Sequence, residues 1–345
     1  MRKAVPIAGG LAVCAIGGAV CAWLRVPLPW MIGSMMAMAV VQMAGAQFEP
    51  LPGGRDAGMA VIGVTLGLYF TAPVVHEVST YWPWFVALGL AAIGFGTLSA
   101  LLLARLSGAD RATAYFGSMP GGASEMAVMG EKYGAAPDRV AFAHSMRMLL
   151  VVTVFPVGIT LAGFSATEEY KPVVATFDAG GLAILLGIAA LAGWVARRLR
   201  VPTAYMMGPL VAAMALTVSG VTLSSVPVAF TNAAQVLLGC ALGARFDRSF
   251  LVTAPRFVMA LVPSVTLTLA FAALVGWGIA LGSGVYLGSG LLAAAPGGIA
   301  EMSITAKVLR IGVAFVTAAH VVRYVIVVLF TVPVYRLLLR KTPEW

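Results

Sequence analysis

Ten runs of mainly apolar residues, each near the roughly 20 residues a helix needs to cross a bilayer, follow one another with only short polar or Pro/Gly breaks between them. They are Ala4–Leu24, Leu28–Ala46, Ala57–Val75, Trp84–Leu106, Val140–Phe164, Gly180–Ala196, Thr203–Gly220, Ala229–Ala244, Phe257–Leu281 and Val313–Leu338, and Ala229–Ala244 is the shortest. Water offers no stable place for so much apolar surface. The composition agrees, at 61% hydrophobic and 10% charged residues against about 25% charged in a soluble domain. An ordinary globular enzyme and a disordered chain are both excluded, and an all-α, polytopic membrane protein with about ten transmembrane helices is expected.

Two further segments, Ala112–Gly130 and Tyr286–Lys307, are moderately apolar, but each carries Pro-Gly-Gly at its middle, which an uninterrupted helix would not choose. They belong to an internal duplication. An offset of 175 pairs Leu24-Arg25-Val26-Pro27 with Leu199-Arg200-Val201-Pro202, Met31 with Met206 and Gly33 with Gly208. An offset of 176 pairs Pro120-Gly121-Gly122 with Pro296-Gly297-Gly298, Glu125-Met126 with Glu301-Met302, His144 with His320 and Arg147 with Arg323. Between these blocks, Gly67 and Pro83-x-Phe85 match Gly239 and Pro255-x-Phe257 at an offset of 172. The expected organisation is therefore a first membrane repeat over 1–165, an acidic linker over 166–178 and a second repeat over 179–345. Met1-Arg2-Lys3 ahead of an apolar run resembles a signal peptide, yet the end of that run recurs deep inside the chain, so it is read as the first span.

Positive charge sets the orientation of the copies, since Lys and Arg concentrate in cytoplasmic loops. If the Pro-Gly-Gly segments enter the membrane and return, sixteen of the 22 Lys+Arg fall inside and only Arg25, Lys171, Lys307 and Arg310 outside, with Arg147 and Arg323 within spans. If the segments cross, nine fall inside and eleven outside. The charges favour two re-entrant segments and five crossings per repeat. Five is odd, so the second repeat is inverted relative to the first, with both termini cytoplasmic and Glu168-Glu169-Tyr170-Lys171 outside. The formal net charge of +9 is then a property of these loops, and no nucleic-acid contact is read from it.

Each Pro-Gly-Gly-x-x-Glu segment offers a break at membrane depth where protein or a water-filled cavity must satisfy the backbone. A half-helix starting after Gly121-Gly122 or Gly297-Gly298 would aim free N–H groups and a positive dipole end at that cavity, which suits an anion. Glu125 and Glu301 stand in the first turn, where a carboxylate either caps its own half-helix or exchanges a proton. His144 and Arg147, and again His320 and Arg323, are three apart and share a helix face inside apolar spans. An intramembrane Arg needs a partner, and the Glu of a Pro-Gly-Gly segment is the obvious one. These pairs are either architectural salt bridges or a central site in which Arg holds an anion and His or Glu exchanges protons.

The remaining reactive residues carry less. Cys14 and Cys21 are seven apart on one apolar run, too far to bridge, and Cys240 stands in another, so the thiols are read as small core residues. His76-Glu77 has no repeat partner and is read as solvated loop. Met35, Met36 and Met38 are read as packing, and Trp23, Trp30, Tyr81, Trp82 and Trp84 as interface anchors. Three His residues are too few for a copper or iron oxygenase centre, so neither a metal site nor any other cofactor is expected.

The paired Pro-Gly-Gly-x-x-Glu-Met segments, each followed by His-x-x-Arg, and the repeated Leu-Arg-Val-Pro closely resemble the bacterial membrane AbrB family over nearly the whole chain. The resemblance implies a duplicated, multi-pass protein of the bacterial inner (plasma) membrane. Members carry the labels "ammonia monooxygenase" and "transcriptional regulator", and neither follows from these residues, which offer no oxygenase ligand set and no soluble stretch long enough for a DNA-binding domain. The leading expectation is a secondary transporter or permease of a small anionic or zwitterionic solute, proton coupling included, with the lipid bilayer and that solute as partners, no nucleic acid, and self-association left open. A membrane sensor affecting gene expression is the alternative, a membrane oxygenase subunit stands third, and enzymatic activity is not expected.

Overall fold

The computed structural model describes residues 4–164, 176–246 and 248–338. The charged ends Arg2, Lys3, Arg340 and Lys341 and the acidic run Glu168–Lys171 lie outside them. All regular structure in the described residues is helical. In chain order the helices are α1 (Ala4–Trp23), α2 (Pro29–Met43), α3 (Gly54–Gly67), α4 (Ala72–Ser79), α5 (Trp82–Ser107), α6 (Arg111–Ser118), α7 (Ala123–Glu131) and α8 (Pro137–Leu161). The second half adds α9 (Ala179–Arg198), α10 (Ala204–Val218), α11 (Val228–Gly243), α12 (Arg248–Thr253), α13 (Pro255–Ser283), α14 (Leu287–Ala294), α15 (Ile299–Leu309) and α16 (Val313–Leu338).

Six helices, α1, α5, α8, α9, α13 and α16, are long and apolar enough to cross a membrane. Of the other four expected spans, α2 and α10 are shorter than their apolar runs, α11 equals its short run in length, and the fourth is broken. Helices α2 and α10 have 15 residues and α11 has 16, about 22–24 Å at about 1.5 Å per residue against a hydrocarbon core of about 30 Å. The run Ala57–Val75 is not straight: α3 and α4 meet at 91° where Thr71 caps α4 through Val74 N–H, with a proline in its first turn.

The chain divides into two compact units, and each draws helices from both sequence repeats. The first unit holds Met1–Thr80, Pro156–Arg248 and Ser303–Ala314. Within it α1 packs on α2, α9 on α10, α2 on α11 and α3 on α10. Glycine makes these approaches close. A Cβ on Gly63 would lie 2.6 Å from the Met206 carbonyl oxygen, and one on Gly239 would lie 2.6 Å from that of Met31. A Cβ on Gly67 would lie 2.6 Å from the Leu210 carbonyl oxygen, as one on Gly243 would lie 2.5 Å from that of Met35. Since Met31 and Met206 are equivalent, packing pairs Gly63 with Gly239 and Gly67 with Gly243, one helical turn away from the sequence match of Gly67 with Gly239. The repeated Leu-Arg-Val-Pro ends a helix the same way twice: Arg25 and Arg200 take φ of 56° and 58°, and the next residue donates N–H back to Cys21 or Ala196, a Schellman closure.

The second unit holds Tyr81–Phe155, Ser249–Met302 and Phe315–Trp345. Its axis is α5 against α13, where Ser99 and Ser264 exchange hydroxyl-to-carbonyl hydrogen bonds of 2.7 and 3.0 Å and Thr268 donates to Ser99 Oγ at 2.8 Å. Such small polar pairs let helices close tightly without an unsatisfied group in an apolar core. Helix α6 packs on α5, and α14 on α13. Tyr115, Phe116, Met119 and Met126 are buried with Tyr335 beneath them.

Candidate functional site

The second unit contains every residue expected at the site. In the first repeat α6 stops at Ser118, Met119 and Gly122 are extended with a tight turn between them in which Gly121 N–H donates to the Met119 carbonyl at 2.8 Å, and α7 starts at Ala123. The chain then reverses. Helices α6 and α7 pack on each other, Phe116 stacks on Tyr133 at 5.8 Å, and Ala136 N–H, beyond α7, donates to Thr113 Oγ1 in the first turn of α6 at 2.8 Å. The segment is a helical hairpin whose two ends are tied together. The second repeat breaks at the same place, between α14 and α15.

One clamp closes the α6 side of the break. Arg147 donates from Nη1 to the Met119 carbonyl at 2.7 Å and from Nη2 to the Gly121 carbonyl at 3.3 Å. Nη2 also bonds His144 Nδ1 at 3.0 Å, while His144 Nε2 meets the Phe116 carbonyl at 2.9 Å. The copy at an offset of 176 is the same: Arg323 Nη1 to the Ala295 carbonyl at 2.5 Å, Nη2 to the Gly297 carbonyl at 2.8 Å and to His320 Nδ1 at 2.8 Å, and His320 Nε2 to the Leu292 carbonyl at 2.9 Å. A guanidinium only donates and a carbonyl only accepts. Each His must therefore accept at Nδ1 and donate from Nε2, so it is neutral and held in one tautomer.

This corrects the expected pairing. The hydrogen bonds of Arg147 and Arg323 go to backbone carbonyls and to His, none to Glu125 or Glu301. Each Arg serves as a cation at the C-terminal end of a half-helix, where carbonyls lack partners and the dipole is negative. His and Arg do share one face, as their spacing requires. Both guanidiniums are almost fully buried, with Nε left without an acceptor in each. The second break approaches α8, since a Cβ on Gly298 would lie 3.4 Å from Cε of Met148, the residue after Arg147.

The other side of each break is the N-terminus of α7 or α15. Glu125 and Glu301, at the third helical position, fold back so that Oε2 lies where a Cβ on Gly122 or Gly298 would be. Gly122 is the N-cap, which makes this a capping-box arrangement with glycine in place of the usual Ser or Thr. A Cβ on Gly121 would overlap the Met126 side chain, and one on Gly297 would lie 2.7 Å from Met302 Cγ. Both glycines, the Glu and the Met of Pro-Gly-Gly-x-x-Glu-Met thus have a local geometric reason. Glu125 is half-buried, whereas Glu301 is 5% exposed. The sequence did not point to the Phe116 and Met119 carbonyls, nor to Ser118, whose buried hydroxyl beside the break lacks a hydrogen-bond partner. Backbone acceptors leave no trace in residue type, so no motif could have found them.

Among the described residues no group of three or more His, Cys, Asp or Glu could hold a metal ion. A family model described as "Transition state regulatory protein AbrB" matches residues 30–339. The chain belongs to the AbrB family. Within the AbrB family it is similar to YhjN of Bacillus subtilis (strain 168), an uncharacterized protein, at 26% identity over 95% of this chain and 92% of the relative. It is also similar to an Escherichia coli (strain K12) protein whose name marks it provisionally as a regulator, AbrB, at 25% identity over 87% of each chain.

Proposed function

We propose that this AbrB-family protein is a secondary transporter of a small anionic or zwitterionic solute. It is built from two inverted repeats in a bacterial inner membrane, with both termini cytoplasmic, and it needs neither enzymatic activity nor a cofactor. The observation that carries the reading is the division of labour at the two breaks. The Arg147–His144 and Arg323–His320 clamps satisfy the carbonyl ends of α6 and α14, and the N-terminal, positive ends of α7 and α15, each covered by its own Glu, are the groups a solute anion would meet once that Glu moves aside. The tied ends of the α6–α7 hairpin support a re-entrant rather than a crossing segment, which is what the inversion requires. Because each His is held neutral by its two hydrogen bonds, Glu125 and Glu301 are the groups left to couple protons.

Purified protein reconstituted in liposomes and screened for uptake of labelled carboxylates, amino acids and ammonium at two pH values tests the reading. A parallel thermal-shift screen follows binding, since a ligand specific for the folded state adds about 2.7 kcal/mol at 100-fold over its Kd. Uptake of an anion that is lost in Glu125→Ala supports transport. A folded protein that neither binds nor carries any member of the set would remove the proposal. The names that speak of regulation favour a second reading, a membrane sensor acting through a protein partner, and co-purification of a cytoplasmic protein in that case would be the deciding result.

A further inference from the structure

We infer that the N-termini of α7 and α15 are carboxylate sites that the chain itself fills, with Glu125 and Glu301 as built-in competitors of a small monocarboxylate solute. The inference rests on the transport reading and names its substrate class. Oε2 of each Glu lies over the N-cap glycine of its own half-helix, in the same position in both repeats. That is where an incoming carboxylate would find free backbone N–H groups and the positive dipole end. The glycine is required because a Cβ there would expel the carboxylate.

A second observation points the same way. Arg147 Nη2 is bonded to the carbonyl of Gly121, the residue before the N-cap, so the guanidinium borders the site. Arg147 is 4% exposed and its Nε–H has no acceptor, and Arg323 beside Gly297 repeats both features at 2%. A buried donor without an acceptor is costly, and a ligand oxygen would satisfy it. Each break holds one Arg and one Glu, and a solute anion enters by displacing the Glu rather than by adding to it. The side chain of Glu beyond Cβ has the heavy atoms of acetate, which sets the size and class of the ligand. The two copies differ in access: Glu125 is half-buried while Glu301 is 5% exposed, so the first copy exchanges first.

The test is titration of the full-length, detergent-purified protein with sodium acetate against sodium chloride at equal ionic strength, in wild type, Glu125→Gln, Glu125→Asp and Glu301→Gln. Glutamine keeps the reach of the side chain and serves equally well in a capping box, but it carries no charge. Aspartate keeps the charge and is one methylene shorter. The expected result is an acetate affinity that rises about tenfold in Glu125→Gln, the scale of a partly buried charge at a helix end, and by less in Glu125→Asp. The melting temperature without acetate should stay near that of wild type. Wild-type acetate binding that is unchanged in both Gln variants would overturn the inference and leave transport standing, with Glu as a cap alone. No acetate binding in any variant, alongside uptake of a different solute, would also overturn it and leave transport standing. No binding and no uptake of any solute would remove both.

Discussion

Arg147 gives its hydrogen bonds to the carbonyls of Met119 and Gly121 and to His144, which makes its first duty the stability of the α6–α7 break. Arg147→Gln withdraws the charge and removes the Arg hydrogen bonds to two carbonyls, of which that of Met119 keeps its bond from Gly121 N–H, and should lower stability by about 1–3 kcal/mol. The check is the melting temperature in detergent, and an unchanged value would mean that the carbonyls find water instead. His144 has a separable role, because only its Nε2–H reaches Phe116. Glutamine can place an N–H near that position, so His144→Gln should cost under about 1 kcal/mol, whereas His144→Leu leaves the carbonyl unpaired and should cost about 1–3 kcal/mol. A His held neutral by a guanidinium on one side and a carbonyl on the other is a poor proton carrier. Transport in His144→Gln should therefore keep the pH profile of wild type, as measured by uptake across a pH series.

Helices in this protein are shaped by what interrupts them. Thr113 ties the far end of the hairpin to its start through Ala136 N–H, and Thr113→Val removes the acceptor while keeping the shape. The expected cost is about 1–2 kcal/mol, with faster amide hydrogen exchange confined to the peptide around Ala136. Glycine on α11 is fixed by neighbours rather than by turns. A methyl at Gly239 would meet the Met31 carbonyl at 2.6 Å and Ser34 Cβ at 2.8 Å, so Gly239→Ala should destabilise by about 1–3 kcal/mol. Gly278 on α13 has open space around its would-be Cβ, and Gly278→Ala should be neutral or stabilising by up to about 1 kcal/mol. Thermal unfolding of the two variants side by side separates packing glycines from incidental ones, which the sequence alone presents as the same letter.

At the scale of the whole molecule the proposed inversion makes a topological prediction. In a variant lacking Cys14, Cys21 and Cys240, a cysteine at Ser107 should react with an impermeant maleimide only from the cytoplasmic side, and one at Ser225 only from outside; labelling of both from one side would mean the Pro-Gly-Gly segments cross. The apolar runs, the duplication and the two broken segments were legible in the sequence, because hydropathy, repeat and Pro-Gly-Gly are written in residue types. So was the shared face of His and Arg, which follows from helical spacing. Helix length was not: α2 and α10 end before their apolar runs do, and α3 and α4 part at 91° within one run, because a cap and a neighbouring surface set an end that hydropathy does not. The partners of the charges were not legible either. Opposite charges in a sequence suggest Arg with Glu, but a guanidinium in an apolar core goes to whichever acceptors lack partners, and here these are the carbonyls at a broken helix end. The sequence by itself determined that this chain is a duplicated helical membrane protein with two breaks. Only the tertiary structure decided what Arg, His and Glu do at those breaks, since backbone groups freed by a break exist only once the chain has folded.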